Sequence, residues 1–328
     1  MATPIIKLKN ITKKFGKKVV LDNLNLEINQ GEIFGLIGMS GSGKTTLLNT
    51  LIGYYEPEQG DILFYSKEDQ TNKSLFKNML EVRKMFGFAP QSPSFYPKLT
   101  VEENLAHFGS LYHLSKETIQ TNINHLLDLT ELTQEREQIA QTLSGGMQKR
   151  LSIACSLIHN PKVLILDEPT ADLDPILRKE TWQLLKGIHR LGTTVIVATH
   201  LLSELEDTCD RVSILHNSRI IKIGTVEQLK NAFTQNKEIQ ITTSLRKYDK
   251  IAKELSKYSS LSIKRMFLKD NKLNIHTPDA ESTLQHLLHI TKKTNESIIE
   301  LNVEKPSLEE IFESISHSRK KEIRLKGE

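Results

Sequence analysis

Hydrophobic and polar positions change period several times along this 328-residue chain, and the changes lay out its elements. Residues 5–9, 19–21 and 24–28 alternate apolar with polar, as half-buried strands do. Gly16 and the Asp22-Asn23 pair interrupt them, so the opening reads as antiparallel strands around a turn over 10–18. Residues 32–37 (EIFGLI) read as a buried strand and 44–52 (KTTLLNTLI) as a helix. Strands over 60–64 and 85–89 flank a polar excursion, 67–84, that ends in a short helix. Thr100 and Glu103 make a capping box ahead of an apolar stripe at Val101, Leu105, Phe108, Leu111 and Tyr112. A second stripe over 118–129 completes a helical insert spanning about 98–142.

Further along, the pattern gives a helix over 147–158, a strand over 163–166, a helix over 175–191, a strand over 193–198 and a closing helix over 225–235. From 238 onward it reads strand 239–243, helix 248–258, strands 261–268 and 272–276, helix 280–291 and strand 297–303. That order is βαββαβ, a split-βαβ sandwich, with a last helix over 307–315. The expected architecture is an α/β domain over 1–236, with a mixed-sheet core, an N-terminal antiparallel β subdomain and an α-helical insert. A small ferredoxin-like α+β accessory or regulatory domain over 237–328 follows it.

Composition adds boundaries rather than identity. A hydrophobic share of 38% is enough for two cores, and a net charge of +4 is too mild to point to nucleic acid, so no nucleic-acid partner is expected. The longest apolar stretches, such as 163–166 and 195–198, fall far short of the ~20 residues a bilayer requires. The opening MATPIIKLKN lacks the apolar region of a secretory signal, so an intracellular chain is expected. Cys155 and Cys209 sit within apolar helical patterns and read as buried small hydrophobes.

The chemistry begins at 38–46, GMSGSGKTT, which fits the phosphate-loop pattern G-x-x-x-x-G-K-[ST]. Gly38, Gly41 and Gly43 let the backbone curl its N–H groups onto an anion. Lys44 would reach the β and γ phosphates of a nucleotide, and the Thr45 hydroxyl would ligate Mg²⁺. Gln91 follows a strand end on a loop held extended by Pro90 and Pro93, where open α/β sheets bind ligands. Ser144-Gly145-Gly146 opens a helix, which is either an ordinary N-cap or a second anion site. Asp167 and Glu168 close an apolar strand, where one can hold Mg²⁺ and the other polarise an attacking water, or where the pair simply decorates a strand end. His200 ends another strand, and Phe15 either packs its turn or stacks on a base.

In this order and spacing the residues resemble the nucleotide-binding subunit of ATP-binding cassette (ABC) transporters, over about the first two-thirds of the chain. GMSGSGKTT is similar to the Walker A loop, with Ser40 and Thr46 inside it, and Gln91 to the Q-loop. LSGGMQ is similar to the signature, VLILDE to Walker B with its glutamate, ADLD to the D-loop and His200 to the switch histidine. The resemblance implies a P-loop NTPase fold with ATP and Mg²⁺ as cofactors and Thr45, Gln91 and Asp167 around the metal. Glu168, His200, Gln91 and Lys44 would be catalytic, and Phe15 would stack on adenine. It further implies a head-to-tail homodimer in which each ATP lies between Walker A of one copy and Ser144, Gly145 and Gly146 of the other. The partner would be a separate integral-membrane permease, with the subunit peripheral on the cytoplasmic face of the cell membrane. The run VEKPSLEEIF is similar to the ending of cassettes that serve drug, sodium and antibiotic-resistance exporters. The alternative is a soluble ABC ATPase for assembly, translation or DNA work. The translation and chromosome types are disfavoured by one unbroken cassette without sustained heptads.

Overall fold

The computed structural model describes residues 3–66, 70–233, 237–269 and 271–304. It divides into two compact units, Met1–Thr225 and Val226–Glu328. The division falls ahead of the helix at 226–233, which groups with the second unit rather than closing the first. Among the described residues no helix is long and apolar enough to cross a membrane.

The first unit opens with β1 (Pro4–Phe15) and β2 (Lys18–Asn29). The sequence placed a turn over 10–18, but β1 runs through it and only Gly16 and Lys17 turn. Register shifts at Leu8/Ile11 and Ile11/Lys13, with Asn10 and Asn23 at φ 54° and 51°, bulge the ladder without ending it. These bulges break the period-two pattern and disguise a continuous strand. β3 (Ile33–Ile37), α1 (Lys44–Leu51), β4 (Gln59–Ser66) and β5 (Thr71–Ser74) follow. The polar β5, TNKS, carries no alternation to betray it. The antiparallel order β2-β1-β4-β5 forms the first sheet.

Next come α2 (Met79–Met85), β6 (Phe86–Ala89), α3 (Val101–Leu111), α4 (Lys116–Leu129) and α5 (Gly145–Leu157). The expected capping box is present, Glu103 N donating to Thr100 Oγ1 and Thr100 N to Glu103 Oε2. β7 (Val163–Asp167), α6 (Pro175–Arg190) and β8 (Thr194–Thr199) complete the parallel core. α7 (Leu202–Glu206), β9 (Arg211–His216) and β10 (Arg219–Gly224), to which the sequence reading assigned no elements, finish the unit. The mixed sheet runs β10-β9-β3-β8-β7-β6, with β9, β3, β8, β7 and β6 parallel and β10 antiparallel. One apolar core joins both sheets through Leu47, Leu48 and Leu51 of α1. Burial pushes both thiols, Cys155 and Cys209, up in pKa. Cys209 lies in the connection before β9 rather than on a helix.

The second unit holds α8 (Val226–Phe233), β11 (Lys237–Thr243), α9 (Tyr248–Leu255), β12 (Arg265–Lys269), β13 (Lys272–Thr277), α10 (Ala280–Lys293) and β14 (Ile298–Glu304). After α8 this is βαββαβ, with antiparallel sheet order β12-β13-β11-β14. A single cluster including Ile239, Ile241, Ile251, Ile275 and Leu287 forms its core. The strand expected over 261–268 begins late, because a 3-10 turn at Ser259–Leu261 and left-handed Ser262 (φ 49°) precede it. The helix expected over 307–315 lies outside the described residues.

Candidate active site

The parallel strands deliver their C-terminal ends to one place, and the chemistry-bearing residues arrive there on the loops that leave them. β3 releases the chain into 38–43, and α1 starts at Lys44. Gly41 and Gly43 take φ +77° and +108°, which side chains with a Cβ rarely adopt. Gly38 is required by space instead. A Cβ there would lie 2.3 Å from Ser42 Oγ and 2.7 Å from Leu215 O. The N-cap of α1 is Gly43 and makes no side-chain hydrogen bond, so the helix N-terminus keeps its N–H groups for another acceptor.

Lys44 turns back over the loop. Its Nζ donates to Gly38 O at 2.8 Å and pairs with Glu168 Oε1 at 3.3 Å, both side chains being almost wholly buried. Glu168 follows Asp167 at the end of β7. Its backbone is left-handed (φ 51°), unusual for glutamate, and its N–H is fixed to Ala198 O of β8 at 2.8 Å. That geometry aims the carboxylate between two loops, so Oε2 also accepts from His200 Nδ1 at 2.9 Å. Lys44, Glu168 and His200 therefore form one cluster. The His200 side chain remains 56% exposed, open to an incoming group.

Asp167 is 2% exposed. Burial pushes its carboxyl up, opposed by a hydrogen bond to the Thr45 side chain and by the Lys44 and Lys149 charges. Its Oδ1 has no hydrogen-bond partner among the described residues. A buried acceptor left unpaired beside a threonine hydroxyl fits a divalent cation with oxygen ligands.

The other expected residues occupy neighbouring positions. Gln91 is exposed just past β6, and its carbonyl accepts from Lys149 Nζ of α5. Burial lowers the Lys149 pKa, countered by Asp172, Asp167 and Glu168. Ser144 caps α5, its Oγ accepting from Met147 N at 3.3 Å. Gly145 is exposed, with nothing within 4 Å of where its Cβ would sit, whereas Gly146 is buried against Leu177. Ser40 is exposed and Thr46 half-buried. Phe15 is 44% exposed and meets Tyr55 edge-on at 5.1 Å, with Lys13 Nζ 5.5 Å from its ring centroid. Among the described residues the structure gathers Lys44, Thr45, Asp167, Glu168 and His200. Ser144 bonds within its own helix, and Phe15 stands with Tyr55.

Two residues here escaped the sequence reading. Asn104 is fully buried on α3; its Oδ1 accepts from Tyr96 N at 2.7 Å, and its Nδ2 donates to Tyr96 O at 3.0 Å and Thr100 O at 2.9 Å. It pins the loop that follows Gln91. A polar residue three positions after Val101 and four before Phe108 on an apolar stripe was its signal. Lys149 gave none, since a lysine after a helix start ordinarily faces water.

The profile of the ABC transporter family matches residues 21–171. Nod factor export ATP-binding protein I of Ralstonia nicotianae is 35% identical over 228 residues, covering 70% of this chain and 69% of that protein. The chain belongs to the ABC transporter ATP-binding family. This cassette is therefore an ATP-binding and ATP-hydrolysing subunit. The C-terminal domain profile of DrrA1-3-like ATP-binding proteins matches 224–315. Linearmycin resistance ATP-binding protein LnrL of Bacillus subtilis (strain 168) is 29% identical over 310 residues, 94% of this chain and 97% of LnrL. A solved cassette described as a dimeric post-hydrolysis state bound to ADP and phosphate is 30% identical with a TM-score of 0.59, covering 67% of this chain and 98% of that one.

Proposed function

We propose that this subunit powers a separate membrane permease as an exporter, working as a head-to-tail homodimer on the cytoplasmic face of the cell membrane. The observation that carries the chemistry is the Lys44–Glu168–His200 cluster beside the unpaired Asp167 oxygen. Lys44 would transfer from Gly38 O and Glu168 to the β and γ phosphates, within the loop N–H groups of Gly38, Ser40, Gly41, Gly43 and Thr46. Freed of that partner, the Glu168 carboxylate would accept a proton from the attacking water. His200 would turn its exposed ring to the γ phosphoryl and donate there as charge develops. Thr45, Asp167 and Gln91 would hold Mg²⁺, which when bound neutralises charge on the β and γ oxygens. Ser144, Gly145 and Gly146 would face the partner copy's ATP, which is consistent with open space at Gly145, and Phe15 would stack on adenine.

Export is supported by the relative that spans nearly the whole chain, a resistance protein, and by the DrrA-like match over the second unit. Permease contact is expected near Gln91 and the segment 96–105. A cavity of about 200 Å³ bordered by Arg83, Phe86, Phe88, Ser94, Phe108 and Tyr112 would accept an apolar side chain there. The test is Glu168→Gln purified from native membranes with ATP. It should bind ATP, turn over at least about a hundredfold more slowly, and carry a stoichiometric polytopic partner. Wild-type hydrolysis would remove Glu168 from the mechanism. Recovery only from the soluble fraction, with ribosomes, DNA or assembly proteins, would refute export and favour a non-transport ATPase.

A further inference from the structure

Glu204 sits on α7, four residues past His200, and its side chain is turned inward, 12% exposed. Its Oε2 accepts from Thr170 Oγ1 at 2.7 Å and from the Trp182 indole Nε1 at 2.8 Å. Its Oε1 makes no hydrogen bond among the described residues and faces Arg178 Nε at 3.9 Å. Arg178 Nε in turn donates to Leu173 O at 2.8 Å. Thr170 is fully buried and lies two residues beyond Glu168. One carboxylate thus joins the exit of β7, the first half of α6 and the short helix that follows the β8 loop.

This arrangement closes a ring. At one end Glu168 meets His200 at 2.9 Å, and at the other Thr170 meets Glu204 at 2.7 Å, with two short chain segments between. α7 has only five residues and no side-chain cap, so little within the helix itself fixes its place. We propose that Glu204 is a positioning residue for ATP hydrolysis, a strut that keeps the segments 168–174 and 200–206 in register so that Glu168 and His200 meet. It touches neither nucleotide nor the attacking water, and its role rests on the assignment of that pair as the reacting groups.

Trp182 is the single tryptophan of the chain and bonds directly to the strut, which gives a spectroscopic readout. The experiment compares full-length wild type, Glu204→Ala, Glu204→Gln, Thr170→Val and Glu168→Gln. It measures ATP-binding stoichiometry and affinity, kcat and KM, and Trp182 emission with and without ATP. A misplacement of about 1 Å can lower a rate by about a hundredfold, so Glu204→Ala should lose at least about tenfold in kcat. Its ATP stoichiometry and KM should stay at wild-type values, its emission should shift, and the ATP-induced change in emission should vanish. Glu204→Gln keeps an oxygen for both donors and should recover most of kcat. Thr170→Val opens the ring from the other side without disturbing shape and should lose kcat as well, which decides the matter if Glu204→Ala does not fold. Wild-type kcat in Thr170→Val or in fully ATP-binding Glu204→Ala overturns the strut while Glu168 stands. Wild-type turnover in Glu168→Gln overturns the site assignment and the strut with it.

Discussion

His159 gives a prediction whose size can be worked from the structure. Its ring stacks on Tyr112 with centroids 3.6 Å apart and planes 5° from parallel, and its Nε2 lies 3.0 Å from Phe86 O. With a carbonyl as partner Nε2–H donates, and Nδ1 is left buried without a hydrogen bond. Burial lowers its pKa from 6.5 to about 4, partly opposed by the Phe86 carbonyl. The folded pKa lies below the unfolded one, so stability is full above about pH 6.5 and is lost as pH falls towards 4. At pH 5 the unfolded ring is almost fully protonated and the folded ring is not, which corresponds to about 2 kcal/mol lost relative to pH 7.5. His159→Gln keeps a donor for Phe86 O, does not titrate, and loses the stack equally at both pH values. Urea unfolding followed by Trp182 emission, which reports on the same unit, should show wild type losing about 2 kcal/mol more than the variant between pH 7.5 and pH 5. Equal losses within about 0.5 kcal/mol would mean that the ring already binds its proton in the native protein, and the account of its burial would be wrong.

Three other substitutions probe the site. Gly38→Ala, whose Cβ would lie 2.3 Å from Ser42 Oγ, should weaken ATP binding at least about tenfold by calorimetry while destabilising by about 1–3 kcal/mol. Asn104→Leu removes the side-chain partner of the Tyr96 N–H and should lower urea stability by about 1–3 kcal/mol; a neutral result would show that the loop past Gln91 rearranges to satisfy itself. Gly145→Ala should leave stability within about 0.5 kcal/mol of its parent, because a Cβ there meets nothing within 4 Å. In a Glu168→Gln background it should nonetheless weaken the ATP-dependent dimer seen by light scattering, and an unchanged dimer would mean that Gly145 does not face the partner's nucleotide.

The loops at the strand ends were legible in the sequence because their chemistry is local. Gly41 and Gly43 announce a left-handed backbone, and VLILDE announces a buried strand that ends in carboxylates. The split-βαβ unit was legible for a related reason: its strands and helices each keep a clean period. What stayed hidden depends on contacts between distant residues. β1 and β2 looked broken because Asn10 bulges the first and Asn23 the second, and those bulges are visible only where the two strands pair. β5 is polar and shows itself only by pairing with β4. Asn104 and Lys149 matter through the carbonyls they hold, and the left-handed Glu168 is set by its bond to Ala198 on the neighbouring strand.

In the second unit, the first and last strands of the sandwich lie side by side. Glu238 near the start of β11 pairs with Glu304 at the end of β14, so the chain enters and leaves the sandwich within about one strand spacing. Such a fold behaves as a cartridge with a single port. In the history of a lineage it can be gained, lost or exchanged by one splice, without lengthening or straining the ATPase that precedes it.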